Sequence, residues 1–259
     1  EFVKTFLEQA FGKADATTPR MRAAIREWND LYYAVPRPGE SADCRLPVLI
    51  VSKLCRTVFA EYEARILPGS SMAGWQQGNL KALDAIRRRA VQDALVGGEC
   101  LLKPVLSGAG FDFVPVRRDC FAPLARDARG RLRAVGTMSR LAGGGRQYAL
   151  LERRTAGADG LFIETRLFEM AGEVLGREAP LDTLPQTAGL KPNLLLPGVP
   201  GVGLAALRTP LLNCVDGSAD AVSVFAPAVG LIHSLARTER QLQQEFANGA
   251  SRVFASEDL

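Results

Sequence analysis

The longest helical period in the chain lies near its C-terminal end. Over residues 223–248, Phe225, Val229, Ile232, Leu235, Leu242 and Phe246 recur so as to place an apolar stripe down one side of a helix. Arg237, Thr238, Arg240, Gln241, Gln244 and Glu245 occupy the other side. Asn248 and Gly249 are expected to stop it, because both accept the left-handed backbone of a helix end. Roughly 24 residues make a rod of about 36 Å, more than a small domain usually asks of one helix. The pattern suits a helix bundled with neighbours, and equally an ordinary surface helix on a globular core.

Upstream, the period predicts four more helices. The first covers residues 1–11. In the second, Thr18 is the N-cap, Pro19 the first residue, and Met21, Ile25, Trp28, Leu31 and Tyr32 the buried side. A loop at residues 36–39 precedes a third helix, from about Pro47 to about Ile66. After a loop over 68–78, Asn79 is expected to cap a fourth, running to Leu95. Beyond the Gly97–Gly98 pair the period becomes alternating, and residues 100–106, 111–116, 131–140, 146–154 and 161–170 read as strands joined by glycine-rich turns, hence antiparallel. Residues 180–210 carry neither period and read as an irregular excursion, and residues 252–255 as the start of another strand. The fold class is therefore α+β: a helical portion (1–98), a mainly antiparallel β portion (99–215), a long helix (216–250) and the beginning of a further element (251–259).

Composition adds exclusions. At 259 residues, 47% apolar and 23% charged, the chain has the make-up of a soluble globular protein. No apolar run reaches the roughly 18 residues of a membrane span, and no signal-peptide pattern opens the chain. A net charge of +4 does not announce a nucleic-acid binder. Cys44, Cys55, Cys100, Cys120 and Cys214 form no C-x-x-C pair and read as reduced thiols; with His233 the only histidine, no metal set is expected. His233 lies near the apolar stripe and reads as packed rather than catalytic. Gly198, Gly201 and Gly203 match neither a dinucleotide fingerprint nor a phosphate loop, and Glu61 with Glu63 reads as a solvated helix face. Arginine supplies 26 of the 32 cations, densest at Arg87, Arg88 and Arg89 and around one turn at Arg126, Arg129, Arg131 and Arg133. These forks suit phosphate or carboxylate partners alike. Trp28, Tyr32 and Tyr33 share one helix and read as core or interface. The residues themselves point to no catalytic site and no cofactor.

The order of segments carries a resemblance. AVQDALVGGECLLKPVL over residues 90–106, then VPVRRDCFAPLARDARGRLRAVGTMSR over 114–140, resembles the wing region of tailed-bacteriophage portal proteins, with Asp119, Cys120, Phe121 and Pro123 in a D-C-F-x-P segment and Asp127 and Gly130 in the following turn. YALLERR, from Tyr148 to Arg154, is similar to the Y-x-L-L-E strand of that family. The stretch TPLLNCVDGSADAVSVFAPAVGLIHSLARTERQLQQEFANGASRVFAS resembles its lead-in segment, first stem helix, F-x-N-G-A signature (Phe246, Asn248, Gly249, Ala250) and following strand. The family's Ser-Pro-x-Gly before the stem is Gly217, Ser218, Ala219, Asp220 here. The chain begins without an initiator methionine and stops where a portal would continue into clip, second stem helix, tunnel loop and crown, so it looks like the N-terminal half of such a protein.

The resemblance implies a structural subunit of a homo-oligomeric ring, usually a dodecamer, at the capsid vertex of a virion or prophage particle. Through that ring double-stranded DNA is packaged and ejected without sequence-specific grip. Its implied partners are terminase, capsid and head-completion proteins, with ATP hydrolysis left to the terminase and no enzymatic activity of its own. Arg237, Arg240, Gln241 and Gln244 would face the tunnel, and Phe225, Val229, Ile232, Leu235, Leu242 and Phe246 would pack the stem. Two other classes stay open: a virion or mobile-element adaptor that forms no channel, and a thiol enzyme using Cys100 or Cys120.

Overall fold

The computed structural model describes residues 2–13, 15–33, 45–66, 69, 71–107 and 110–250. The fold is α+β, as expected: four N-terminal helices, two antiparallel sheets and a long C-terminal helix. The expected loop at 36–39, Cys44 and residues 251–259 lie outside the described residues.

Helix α1 (Phe2–Phe11) lies on one face of the larger sheet, where Val3, Phe6 and Leu7 meet Met138, Ala149, Leu151 and Phe168. The approach is close: a Cβ on Gly136 would sit 2.4 Å from a Leu7 methyl. Helix α2 (Pro19–Tyr33) starts as its sequence dictates, with the Thr18 hydroxyl accepting the Met21 N–H at 3.1 Å. Its buried side, Met21, Ile25, Trp28 and Tyr32, forms a helical core with Val51 and Cys55 of α3 (Leu46–Val58) and Val96 of α4 (Ala73–Gly97).

Two helix limits differ from expectation. Helix α3 ends at Val58, not near Ile66. The aromatic period continues past its end because Phe59 and Tyr62 pack under α4, with the Arg87 guanidinium 4.2 Å from the centre of the Tyr62 ring. Helix α4 begins at Ala73, so Asn79 is no cap but an interior residue. Its Nδ2 donates to the Trp75 carbonyl, and its Oδ1 accepts the Phe111 N–H at 2.8 Å, tying α4 to a strand. An asparagine able to cap looks the same in sequence as one that clasps a sheet.

The glycine pair ends α4 for a steric reason. Gly98 has φ +84°, and a Cβ there would lie 2.4 Å from the Ala221 carbonyl oxygen; one on Gly97 would lie 2.6 Å from Cβ of Arg118. The helix end, the 3-10 turn at Arg118–Cys120 and the segment leading to the last helix thus meet closely.

The smaller sheet has the order β2-β1-β9, built from β1 (Glu99–Ser107), β2 (Gly110–Val116) and β9 (Ala205–Arg208). The larger runs β3-β4-β5-β6-β7, from β3 (Phe121–Arg126), β4 (Leu132–Gly143), β5 (Arg146–Ala156), β6 (Gly160–Ala171) and β7 (Val174–Ala179), with β8 (Asn193–Pro197) also on β6. The free edge of the long strand β6 is shared: β7 pairs with its second half and β8 with Gly160 to Glu164. Between the sheets Leu101, Val116, Phe121, Val135 and Val202 close a third core.

The expectation of an irregular 180–210 stretch is thus corrected: it contributes β8 and β9, one to each sheet. Five and four residues long, leucine- and alanine-rich and flanked by Pro and Gly, they are too short to show a period. Strand β3 escaped the pattern because Pro123 interrupts it; it is an edge strand, where proline is tolerated.

Candidate assembly interface on the C-terminal helix

Helix α5 covers Val229–Ala250, 22 residues or about 33 Å. It starts later than the stripe predicts. Residues 223–228 form a lead-in: the Ser223 hydroxyl donates to the Leu95 carbonyl at 3.1 Å, Phe225 is buried, and Ala226–Ala228 make a 3-10 turn around Pro227. Proline disfavours α geometry in the residue before it and so sets the helix start behind it. The far limit also differs, for the helix passes through Asn248 and Gly249 without a left-handed residue. Glycine weakens a helix without being obliged to end it.

The six predicted packing positions divide into two groups. Phe225 and Ile232 are 1% and 5% exposed and, with Val229, complete the helical core that holds Trp28. Leu235, Leu242 and Phe246 are exposed, Phe246 at 76%. Leu231, which the sequence reading passed over, is 70% exposed and aligns with them. At about 100° per residue, Leu231, Leu235, Leu242 and Phe246 fall within an arc of about 60°. This seam has no partner among the described residues. Its signal was the i, i+4, i+11, i+15 spacing of four apolar residues, hidden because the eye joins Leu235 to Ile232 instead.

Arg237, Arg240, Gln241 and Gln244 are all exposed and span an arc of about 100° on the opposite side. Among their contacts, the Arg240 Nε donates to the Ala236 carbonyl at 3.2 Å within the helix. From Ser234 onward, only Ala236 and Glu239 are even half-buried. The helix is thus held by its first turn, by His233 on Glu27 and along the half-buried Ala236 and Glu239, while the seam and the polar side face solvent.

His233 is not packed, correcting the expectation: half exposed, it bonds Glu27 of α2 through Nε2 at 2.7 Å. At about 100° per residue it falls within the arc of Arg237, Arg240, Gln241 and Gln244, away from the seam, so proximity in sequence to apolar residues misplaced it.

The other candidate chemistry is absorbed by the structure. Cys100 and Cys120 are pushed up to about 12, chiefly by burial, and stay protonated thiols at neutral pH. Arg87 pairs with Asp84 at 2.8 Å and covers Tyr62, while Arg89 faces Asp93 at 3.9 Å. Trp28 and Tyr32 are buried, and Tyr33 lies under the Arg117 guanidinium at 4.5 Å. Among the described residues no group of acidic, histidine and cysteine side chains could hold a metal ion, and no helix is long and apolar enough to cross a membrane. No protein-family model matches the chain, and no curated protein is significantly similar to it.

Proposed function

We propose that this chain is the wing and first stem helix of a portal subunit, a non-enzymatic component of a homo-oligomeric ring through which double-stranded DNA enters and leaves a phage capsid. One observation carries the reading: α5 presents an apolar seam that its own subunit leaves uncovered. Neighbouring copies arranged about a closed axis cover such a seam by repetition, each helix using the next. The order of elements supports the same reading. A helix ends at a glycine pair, antiparallel strands follow, and a long helix comes after them.

In this ring the seam of Leu231, Leu235, Leu242 and Phe246 packs between neighbours, and Arg237, Arg240, Gln241 and Gln244 turn toward the channel. The tunnel side mixes cations with amides, so no continuous positive track grips the phosphates and the duplex slides. Terminase, capsid and head-completion proteins dock on the ring in a virion assembled in a bacterial host. The thiol-enzyme alternative finds no support in two thiols held protonated.

The test is negative-stain imaging of the full-length gene product. Rings with a central hole wide enough for a DNA duplex are expected. Compact monomers at every concentration overturn the reading, and monomers that bind other virion proteins select the adaptor.

A further inference from the structure

The arginine-rich turn between β3 and β4 borders a cleft of about 430 Å³, within the roughly 300–1,000 Å³ of small-ligand sites. Arg126, Arg129, Arg131 and Arg208 line it opposite the loop at residues 200–204 and the start of β9. From its wall inward runs a charge cluster, with Arg118, Glu99 and Asp220 buried, in which Arg126 contacts Asp220 at 2.8 Å and Glu99 at 3.3 Å, Arg118 contacts Asp220 at 3.5 Å, and Arg208 contacts Glu99 at 3.7 Å. Three guanidinium groups share two carboxylates. Asp15, the next acid toward Arg118, is already engaged by Arg22 at 3.6 Å.

The 200–204 loop is bordered by a second cluster with the same imbalance. Glu152 is paired with Lys103, and Arg154 approaches it no closer than 3.8 Å. The Arg154 guanidinium lies against Gly203, whose added Cβ would sit 3.5 Å from Nη1. Nε of Arg154 and Nε of Arg118 are buried without a hydrogen-bond partner. Burial lowers the pKa of both groups, the mark of cations taken out of water beyond what their acids offset. At the rim, the Arg131 guanidinium pairs with Asp127 at 2.9 Å, whereas the exposed Arg129 side chain has no partner among the described residues.

We infer that this cleft is an anion site that takes a phosphate group, either free or in the backbone of duplex DNA. A phosphate accepts several N–H donors at once and supplies the negative charge both clusters lack, and the planar fork of arginine is suited to it. Arg129 is the capturing side chain, Arg131 and Arg208 complete the mouth, and the buried excess of cations supplies the field. The inference does not rest on the ring, and its test uses monomeric protein, so either reading can fail without the other.

The experiment titrates the chain with inorganic phosphate at constant ionic strength by calorimetry, and with a labelled DNA duplex by anisotropy at several salt concentrations, for the native protein and for Arg129→Ala with Arg131→Ala. Both side chains are exposed, so the fold is retained, which circular dichroism verifies. If free phosphate is the ligand, it binds and each arginine removed weakens it about tenfold. If the ligand is the DNA backbone, duplex binding weakens and its salt slope falls by about one for each arginine removed, with inorganic phosphate inert. Absence of binding to both probes, or binding unchanged in the double variant, overturns the proposal. As a second probe, Arg208→Gln is expected to weaken the same ligand and no other.

Discussion

Trp28 sits at the centre of the helical core with 1% of its surface exposed. Trp28→Ala is expected to destabilise the chain by about 3–5 kcal/mol, read from urea unfolding, because the neighbouring helices cannot collapse into so large a void. That position was legible: Met21, Ile25, Trp28 and Tyr32 lie at helical spacing and nothing competes for them. Asn79 was not, since its bond to Phe111 joins residues 32 apart and leaves no local trace. The titrating groups also escape a linear reading. Cys100 and Cys120, ordinarily near 9.0, are pushed up to about 12, and Tyr33, ordinarily 10.0, also to about 12, each chiefly by burial. An acid whose pKa is raised by folding binds its proton more tightly in the folded chain, so its contribution is complete below the unfolded pKa and is lost as pH climbs toward the folded one. The urea midpoint is therefore expected to fall between about pH 9 and pH 12, in addition to any general alkaline effect. Cys100→Ala with Cys120→Ala reduces that fall, and an unchanged pH profile in the double variant refutes the assignment.

At the level of elements, α5 separates two kinds of apolar residue that the sequence writes alike. Ile232→Ala opens a hole where the helix meets α2 and is expected to destabilise by about 2–5 kcal/mol. Leu235→Asp with Leu242→Asp alters side chains that touch solvent and is expected to shift stability by no more than about 0.5 kcal/mol per site, while abolishing concentration-dependent self-association in sedimentation velocity of the full-length product. Equal destabilisation by both variants would mean that the seam is covered within the subunit. Periodicity revealed that an amphipathic helix exists, but not which apolar residues its own subunit consumes. That depends on the lead-in at Ser223 to Ala228, whose anchoring to Leu95 is a contact 128 residues away in sequence. Strands β8 and β9 were illegible for a related reason: each is defined by its partner, β6 or β1, more than by its own residues.

Across the whole molecule, the end of α4, the 3-10 turn at Arg118 and the lead-in to α5 are joined where Gly97 and Gly98 meet Arg118 and the 221–222 backbone. Gly98→Ala places a methyl group on that backbone and is expected to loosen the α4 end and the α5 anchor at once, seen as faster hydrogen exchange in both α4 and the first turn of α5. The glycine pair was readable as a helix end, whereas its second duty, admitting a distant carbonyl, was not. That junction has a mechanical consequence. Ile232 and Phe246 are 14 residues apart on a rod anchored at one end, so a rotation of about 10° at the pivot swings the tip by about 4 Å at about 1.5 Å of rise per residue. Small repacking around Trp28 is thereby geared up into a displacement at the far tip, and core substitutions that barely change folding can still alter where the end of α5 lies.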